Sequence, residues 1–160
     1  MKPKTLPVLF QNIPLALRTI PRWTLWNYVE VGEGETKRWS KLPVQPTGKA
    51  ASSTNPETWT DFLSVEKAYL TGLFDGVGFV FTTDDNIIGV DLDDCYADGQ
   101  FVNDALKGIA DKLEGYMEVS PSGTGVKIFT RADLAFSHVD HAIGLEVYPA
   151  SRFFTVTGHH

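Results

Sequence analysis

Apolar positions along the chain fall into short runs bounded by turn residues, with two stretches that follow helical spacing instead. Trp23 to Val31 and Trp39 to Val44 read as strands, with the charged Gly32–Lys37 stretch as the hairpin loop between them. Residues 11–19 read as a short helix, interrupted by Pro14. Gln45 to Asn55 carries loop chemistry in Pro46, Gly48, Ser52, Ser53 and Thr54. Asn55-Pro56-Glu57 predicts a helix start, with Trp59, Phe62, Val65 and Tyr69 as its apolar stripe and Gly72 as its end. Gly76 to Phe81 and Ile87 to Leu92 are strands separated by an Asp-Asp-Asn turn. A second helix is expected over about Asn103 to Glu114, on a stripe of Val102, Leu106, Ile109 and Leu113. Strands at Tyr116–Val119, Val126–Thr130, Leu145–Tyr148 and Phe153–Val156 complete the pattern. Strands outnumber helices, which predicts an α+β fold in which amphipathic helices cover a mostly antiparallel sheet.

At 160 residues, 42% apolar and 21% charged, the chain has an ordinary globular composition and is read as a single domain, 1–160. It ends at His160 directly after a strand, which suits the N-terminal module of a longer protein. No apolar run approaches the ~20 residues of a membrane helix. Lys2, Pro3 and Lys4 are not followed by the apolar core of a secretion signal. A cytoplasmic protein with no membrane partner is expected. The lone Cys95 excludes an internal disulfide and a multi-cysteine zinc site. Net charge is -6, but its distribution is uneven. Residues 1–53 hold eight Lys/Arg against three Glu, while six acids crowd between Asp84 and Asp98. A basic third beside a carboxylate patch suits a polyanion handled next to bound cations, although surface charge also varies along any chain.

The sharpest candidate chemistry lies in Gly89-Val90-Asp91-Leu92-Asp93. Side chains alternate faces on a strand, so Ile88, Val90 and Leu92 suit the core and Gly89, Asp91 and Asp93 share the other face. Two carboxylates at this spacing repel unless a cation sits between them, and hard Mg²⁺ or Mn²⁺ prefers such oxygen ligands. Glu146, facing away from Leu145 and Val147 on a later strand, would add a third carboxylate. Each of these is equally explained, taken alone, as the polar face of a strand.

Ser120-Pro121-Ser122-Gly123-Thr124-Gly125 joins two strands and is followed by Lys127. Hydroxyls, glycine-exposed amides and a lysine could cradle phosphate, and a plain hairpin turn explains the same residues. The spacing is not that of a Walker A loop. Arg152 stands at the mouth of the last strand, as a phosphate contact or a solvated strand end. His138 and His141 lie in a loop-like stretch without the further ligands zinc needs. Trp23, Trp26 and Trp39 read as core.

Taken in order, the segments resemble the catalytic domain of archaeo-eukaryotic primases, in the phage and plasmid primase-polymerase branch. The resemblance runs through Arg22-Trp23-Thr24-Leu25-Trp26, Lys41-Leu42-Pro43 and Gly48 to Pro56 before Trp59. It continues through Gly76 to Phe81, Gly89 to Asp93, Glu118 to Gly125, Leu145-Glu146-Val147-Tyr148 and Arg152 to Gly158.

That resemblance implies an RRM-like catalytic sheet packed on an N-terminal α/β unit. It implies a DNA primase/polymerase domain that uses a two-metal Mg²⁺ or Mn²⁺ site to transfer nucleotides from NTP or dNTP to a 3′-hydroxyl. Asp91, Asp93 and Glu146 would hold the metals. Ser120, Ser122, Gly123, Lys127 and Arg152 would contact the triphosphate, with Lys41 as a further nucleotide or template contact. Implied partners are a single-stranded DNA template and a helicase domain or subunit, in the cytoplasm of a bacterial host, encoded by a phage or plasmid. One departure stands out: the family usually has histidine on the strand after the Ser-Gly turn, and this sequence has Lys127. Lysine supplies a cation to phosphate but cannot mimic a neutral imidazole. A non-catalytic nucleic-acid-binding relative and a metal-dependent nuclease or phosphodiesterase remain the competing expectations.

Overall fold

In the computed structural model, which describes all 160 residues, the strands form two main antiparallel sheets and a separate two-stranded hairpin rather than one sheet. Strand β1 (Trp23–Val31) pairs on one side with β2 (Arg38–Val44) and on the other with β3 (Gly76–Phe81). The sheet is closed by the last strand of the chain, β11 (Arg152–Val156), which pairs with β3. The N-terminal unit is therefore completed by the C-terminal segment.

The second sheet is built around β4 (Ile87–Leu92). A small hairpin, β5 (Tyr96–Ala97) and β6 (Gln100–Phe101), leads from it into helix α3 (Asp104–Ala110). The chain then returns as β7 (Tyr116–Val119), β8 (Val126–Arg131), β9 (His138–Asp140) and β10 (Leu145–Tyr148). Their spatial order is β7-β8-β4-β10-β9. The α+β class is thus as expected. Strands β3 and β4, joined by a tight turn at Asn86 (φ 55°), do not pair but enter different sheets.

Alternation along β4 works as the sequence requires. Val90 and Leu92 pack with Val126, Ile128, Leu106 and Ala110 in a core beneath α3. The opposite face turns toward the first sheet, where Phe129 and Ile87 join Phe79, Phe81, Phe154, Trp23 and Leu25 in the larger core. Gly89 makes this packing possible, because a Cβ there would lie 2.5 Å from the Phe154 ring and 2.6 Å from the Phe81 ring. Gly89→Val is expected to overpack the joint and lower unfolding free energy by about 1–3 kcal/mol, as measured by urea denaturation. An unchanged midpoint would show that the rings move aside freely.

The helices are shorter than their apolar stripes suggest. Only Leu15–Arg18 forms α1, preceded by a separate turn at Phe10–Asn12. Asn55 caps a single tight turn, Pro56–Thr58, and Asp61 caps the true helix α2 (Phe62–Tyr69) by accepting from the Ser64 amide at 2.9 Å. Thr60 exchanges backbone hydrogen bonds with Trp23, which breaks the helix between these two caps. Trp59 instead ties down the preceding loop, its indole donating to the Ser52 carbonyl. Val102 is exposed and lies outside α3, so it does not belong to the buried stripe. Trp23 and Trp26 are core residues, whereas Trp39 on the edge strand is half-buried. His138 lies on the short strand β9 rather than in a loop.

Candidate functional site: a charged row beside a cationic cleft

The register of the second sheet sets Glu118 opposite Lys127, Lys127 opposite Asp91, and Asp91 opposite Glu146. Directly opposed residues share a face, so four charged side chains form one row across β7, β8, β4 and β10. Two residues along each strand, Tyr116, Phe129 and Tyr148 form a parallel row with Gly89 between Phe129 and Tyr148. The charges therefore stand on an apolar step that limits their hydration.

Lys127 Nζ contacts Asp91 Oδ2 at 2.5 Å and lies 4.6 Å from the centre of the Phe154 ring. Both partners of this ion pair are largely buried, with side chains 9% and 15% exposed. The second carboxylate oxygen, Asp91 Oδ1, is buried without any hydrogen-bond partner. Glu146 accepts from the Tyr148 hydroxyl at 2.7 Å and has Arg152 at 3.8 Å and His141 at 3.6 Å. Asp93 lies just past the end of β4, with its side chain open to solvent and its amide bonded to the Gly144 carbonyl. Partial desolvation, reinforced by the Asp91 charge, raises its pKa above the usual carboxylate range, and Lys127 opposes that shift. No three His, Cys, Asp or Glu side chains close into a metal-holding group. Register brings Asp91 and Glu146 together, while Asp93 stands to one side of the row, past the end of β4.

A cleft of about 390 Å³ opens beside Asp91. Lys41, Lys127 and Arg152 line it together with Ser40, Ser53, Ser151 and Thr155. Lys41 reaches it from β2 and lies 5.8 Å from the Trp26 ring centre. Burial, followed by repulsion from Lys127, lowers the Lys41 pKa, and Asp91 and Asp93 partly offset this. Arg152 is half exposed and stacks over Tyr148 at 4.6 Å. Three cations from three strands around one cleft make an anion-accepting wall. A larger cavity of about 570 Å³, lined by Leu17, Ile87, Tyr116 and Phe129 among others, holds none of the candidate residues.

The Ser-Gly turn lies outside the lining of this cleft. Its hydroxyls bond to one another, Ser120 to Ser122 at 3.0 Å and Ser122 to Thr124 at 2.9 Å. Gly123 adopts φ 78°, which a glycine allows without strain. Gly125 packs so tightly on the end of β4 that a Cβ would lie 2.7 Å from the Leu92 carbonyl oxygen. The turn is thereby pinned next to Asp93, beside the charged row.

Two further residues at the site carry little signal of their own in the sequence. Ser53 lies in the Gly48–Pro56 run and donates to the Ser151 carbonyl at 3.0 Å, joining that loop to the residue before Arg152. Glu118 is 1% exposed and accepts from the amides of Thr157 and Gly158 and from the Tyr116 hydroxyl. Burial pushes its pKa up to about 7 against those hydrogen bonds. Only its position before the Ser-Gly turn hinted at a role, and it holds the far end of β11, the strand that carries Arg152.

The architecture and the row define a class: a two-sheet α+β domain with acidic and basic side chains interleaved beside an anion-accepting cleft. No protein-family model matches the chain. The sequence is 30% identical over 150 residues to a protein named DNA Primase-polymerase from Nitratiruptor phage NrS-1. The match takes in 89% of this chain and 20% of that protein, so the chain spans about a fifth of the relative's length. The resemblance to a phage primase-polymerase domain, drawn from the ordered motifs, is thus supported by direct sequence similarity. No helix is long and apolar enough to cross a membrane.

Proposed function

We propose that this chain is the catalytic domain of a primase-polymerase in phage or plasmid DNA replication. In this reading it transfers nucleotides from NTP or dNTP to a 3′-hydroxyl held on a single-stranded DNA template. The observation that carries it is the row in which Asp91 stands between Lys127 and Glu146, next to a cleft that also gathers Lys41 and Arg152. The relative's name gives independent support. Strand order supports the RRM-like reading, since β8 lies between β7 and β4 as in a split βαβ unit. The second crossover, between β8 and β10, carries the short strand β9 in place of a helix.

The carboxylates fit a hard divalent cation. Asp91 Oδ1 is an orphaned buried oxygen, and the charged form of Asp93 is disfavoured by desolvation and by the Asp91 charge. Asp91, Asp93 and Glu146 would hold Mg²⁺ or Mn²⁺. A metal held there would supply the charge neutralisation that an in-line displacement at phosphorus needs. The chain's own cations do the rest of the electrostatic work. Lys127 and Lys41 would bind the triphosphate, and Arg152 would clamp it from the rim while restraining Glu146. The hydroxyls and amides of Ser120, Ser122 and Gly123 would hold phosphate oxygens beside the row, next to Asp93. The 3′-hydroxyl would lose its proton to solvent as its oxygen bonds to the α-phosphorus, the bond from that phosphorus to the β-phosphate oxygen breaks, and pyrophosphate leaves. Basic residues of the N-terminal third would hold template phosphates, with affinity that falls as salt rises.

The direct test is template-dependent extension of a labelled primer with dNTP and Mn²⁺. Extension that follows the template sequence supports the reading. Nucleotide binding without extension favours a second one, a non-catalytic relative, for which the ion pair between Lys127 and Asp91 speaks. Lys127→Ala is expected to weaken dNTP affinity by about tenfold or more, the worth of one charge-assisted phosphate contact. Calorimetric titration checks this, and an unchanged affinity removes Lys127 from the phosphate site.

A further inference from the structure

Lys127 sits where two demands conflict. Its ammonium is buried and bonded to Asp91, yet it also lines the cleft that gathers the other two cations. Around it also stand the Phe154 ring, the opposed Glu118, whose oxygens are already taken by three donors, and Asp93, whose charge it favours without bonding to it. Lys41 repels it from across the cleft. A buried ammonium that leaves its carboxylate needs another anion at once, because an unpaired buried charge is far costlier than a paired one.

We propose that Lys127 is a tethered counter-ion that keeps the cation position on Asp91 filled and moves to phosphate when it is displaced, so that divalent metal and triphosphate bind with positive coupling. This deepens the reading of the site given above and rests on it. Without triphosphate, a metal ion taken up at the free Oδ1 of Asp91 meets the Lys127 ammonium already paired to Oδ2 of the same carboxylate, and either endures that repulsion or displaces Lys127. Without metal, a triphosphate competes with Asp91 for the same ammonium. With both present each charge finds a partner, and thermodynamic linkage makes the effect reciprocal. Lys127 thus has two roles, touching phosphate itself and governing the metal position through Asp91.

The distinguishing observable is metal affinity in the absence of nucleotide, read as free Mn²⁺ by electron paramagnetic resonance. Wild type is expected to bind Mn²⁺ weakly. Lys127→Met, similar in length and uncharged, is expected to bind it at least tenfold more tightly, while Lys127→Arg stays close to wild type. Lys127→Gln provides the same test if the methionine variant does not fold, since it still hydrogen-bonds to Asp91. Lys41→Met removes an equal charge from the same cleft without breaking a contact to Asp91, and a much smaller gain is expected. Equal gains in the two methionine variants would reduce the effect to general electrostatics and overturn the proposal. So would a Lys127→Met affinity no better than wild type in a protein whose Mn²⁺ binding is lost in Asp91→Asn. In that case the metal site would stand and only the coupling would fall. Absence of Mn²⁺ binding in every variant would overturn both.

Discussion

Asp91→Asn combined with Asp93→Asn is expected to abolish template-directed primer extension while leaving the fold intact. The magnitude follows from the role. Losing metal-mediated charge stabilisation costs several kcal/mol at the transition state, on the order of a thousandfold or more in rate. Asparagine is the informative replacement because Lys127 leans on Asp91. Alanine would strand a buried ammonium and mix a stability loss into the result, whereas the amide oxygen still accepts from Lys127. Unchanged circular dichroism and a cooperative melt would show that the fold persists. Extension near the wild-type rate would remove these carboxylates from the chemistry.

The second large effect is on stability and comes from Glu118. Its pKa is raised from 4.5 to about 7 in the fold, chiefly by burial. Between those two values the folded protein keeps a proton that the unfolded chain releases. The native state binds more protons, so stability falls as pH rises through this window. The loss amounts to about 3 kcal/mol from pH 4.5 to pH 7. Asp93 shifts in the same direction. Glu118→Gln is therefore expected to flatten the stability profile measured by urea unfolding at several pH values. A profile as steep as wild type would show that Glu118 is not the group responsible. The same carboxylate anchors Thr157 and Gly158, so its titration bears on the strand that presents Arg152.

What the sequence disclosed, it disclosed through local rules. Alternation placed Val90 and Leu92 inward and Asp91 outward, and the apolar runs located β1 to β4, β7, β8, β10 and β11 to within a residue or two. Partnering was not legible. Nothing in the turn at Asn86 tells β3 to join β1 and β4 to join β8, because that choice depends on contacts such as Phe154 and Phe81 against Gly89. Helix lengths were overestimated where apolar spacing continued past a competing backbone partner, as at Thr60.

The site divides in the same way. Asp91, Glu146 and Lys127 carried their signals in strand parity, and the register places them side by side. Lys41 and Arg152 meet them only because β2 and β11 flank the cleft from the other sheet. The closure of Lys127 onto Asp91 follows from that three-dimensional placement and has no linear signature. Ser53 and Ser151 are short polar residues in loops, with nothing to distinguish them until the loops are seen to touch.

The most direct test of the central claim is calorimetric titration of a deoxynucleoside triphosphate into the wild-type chain, with and without Mn²⁺. Binding that requires Mn²⁺ and disappears in the Asp91/Asp93 double asparagine variant is the predicted result. Absence of binding by the folded protein in either condition, or binding indifferent to both metal and carboxylates, would contradict the account.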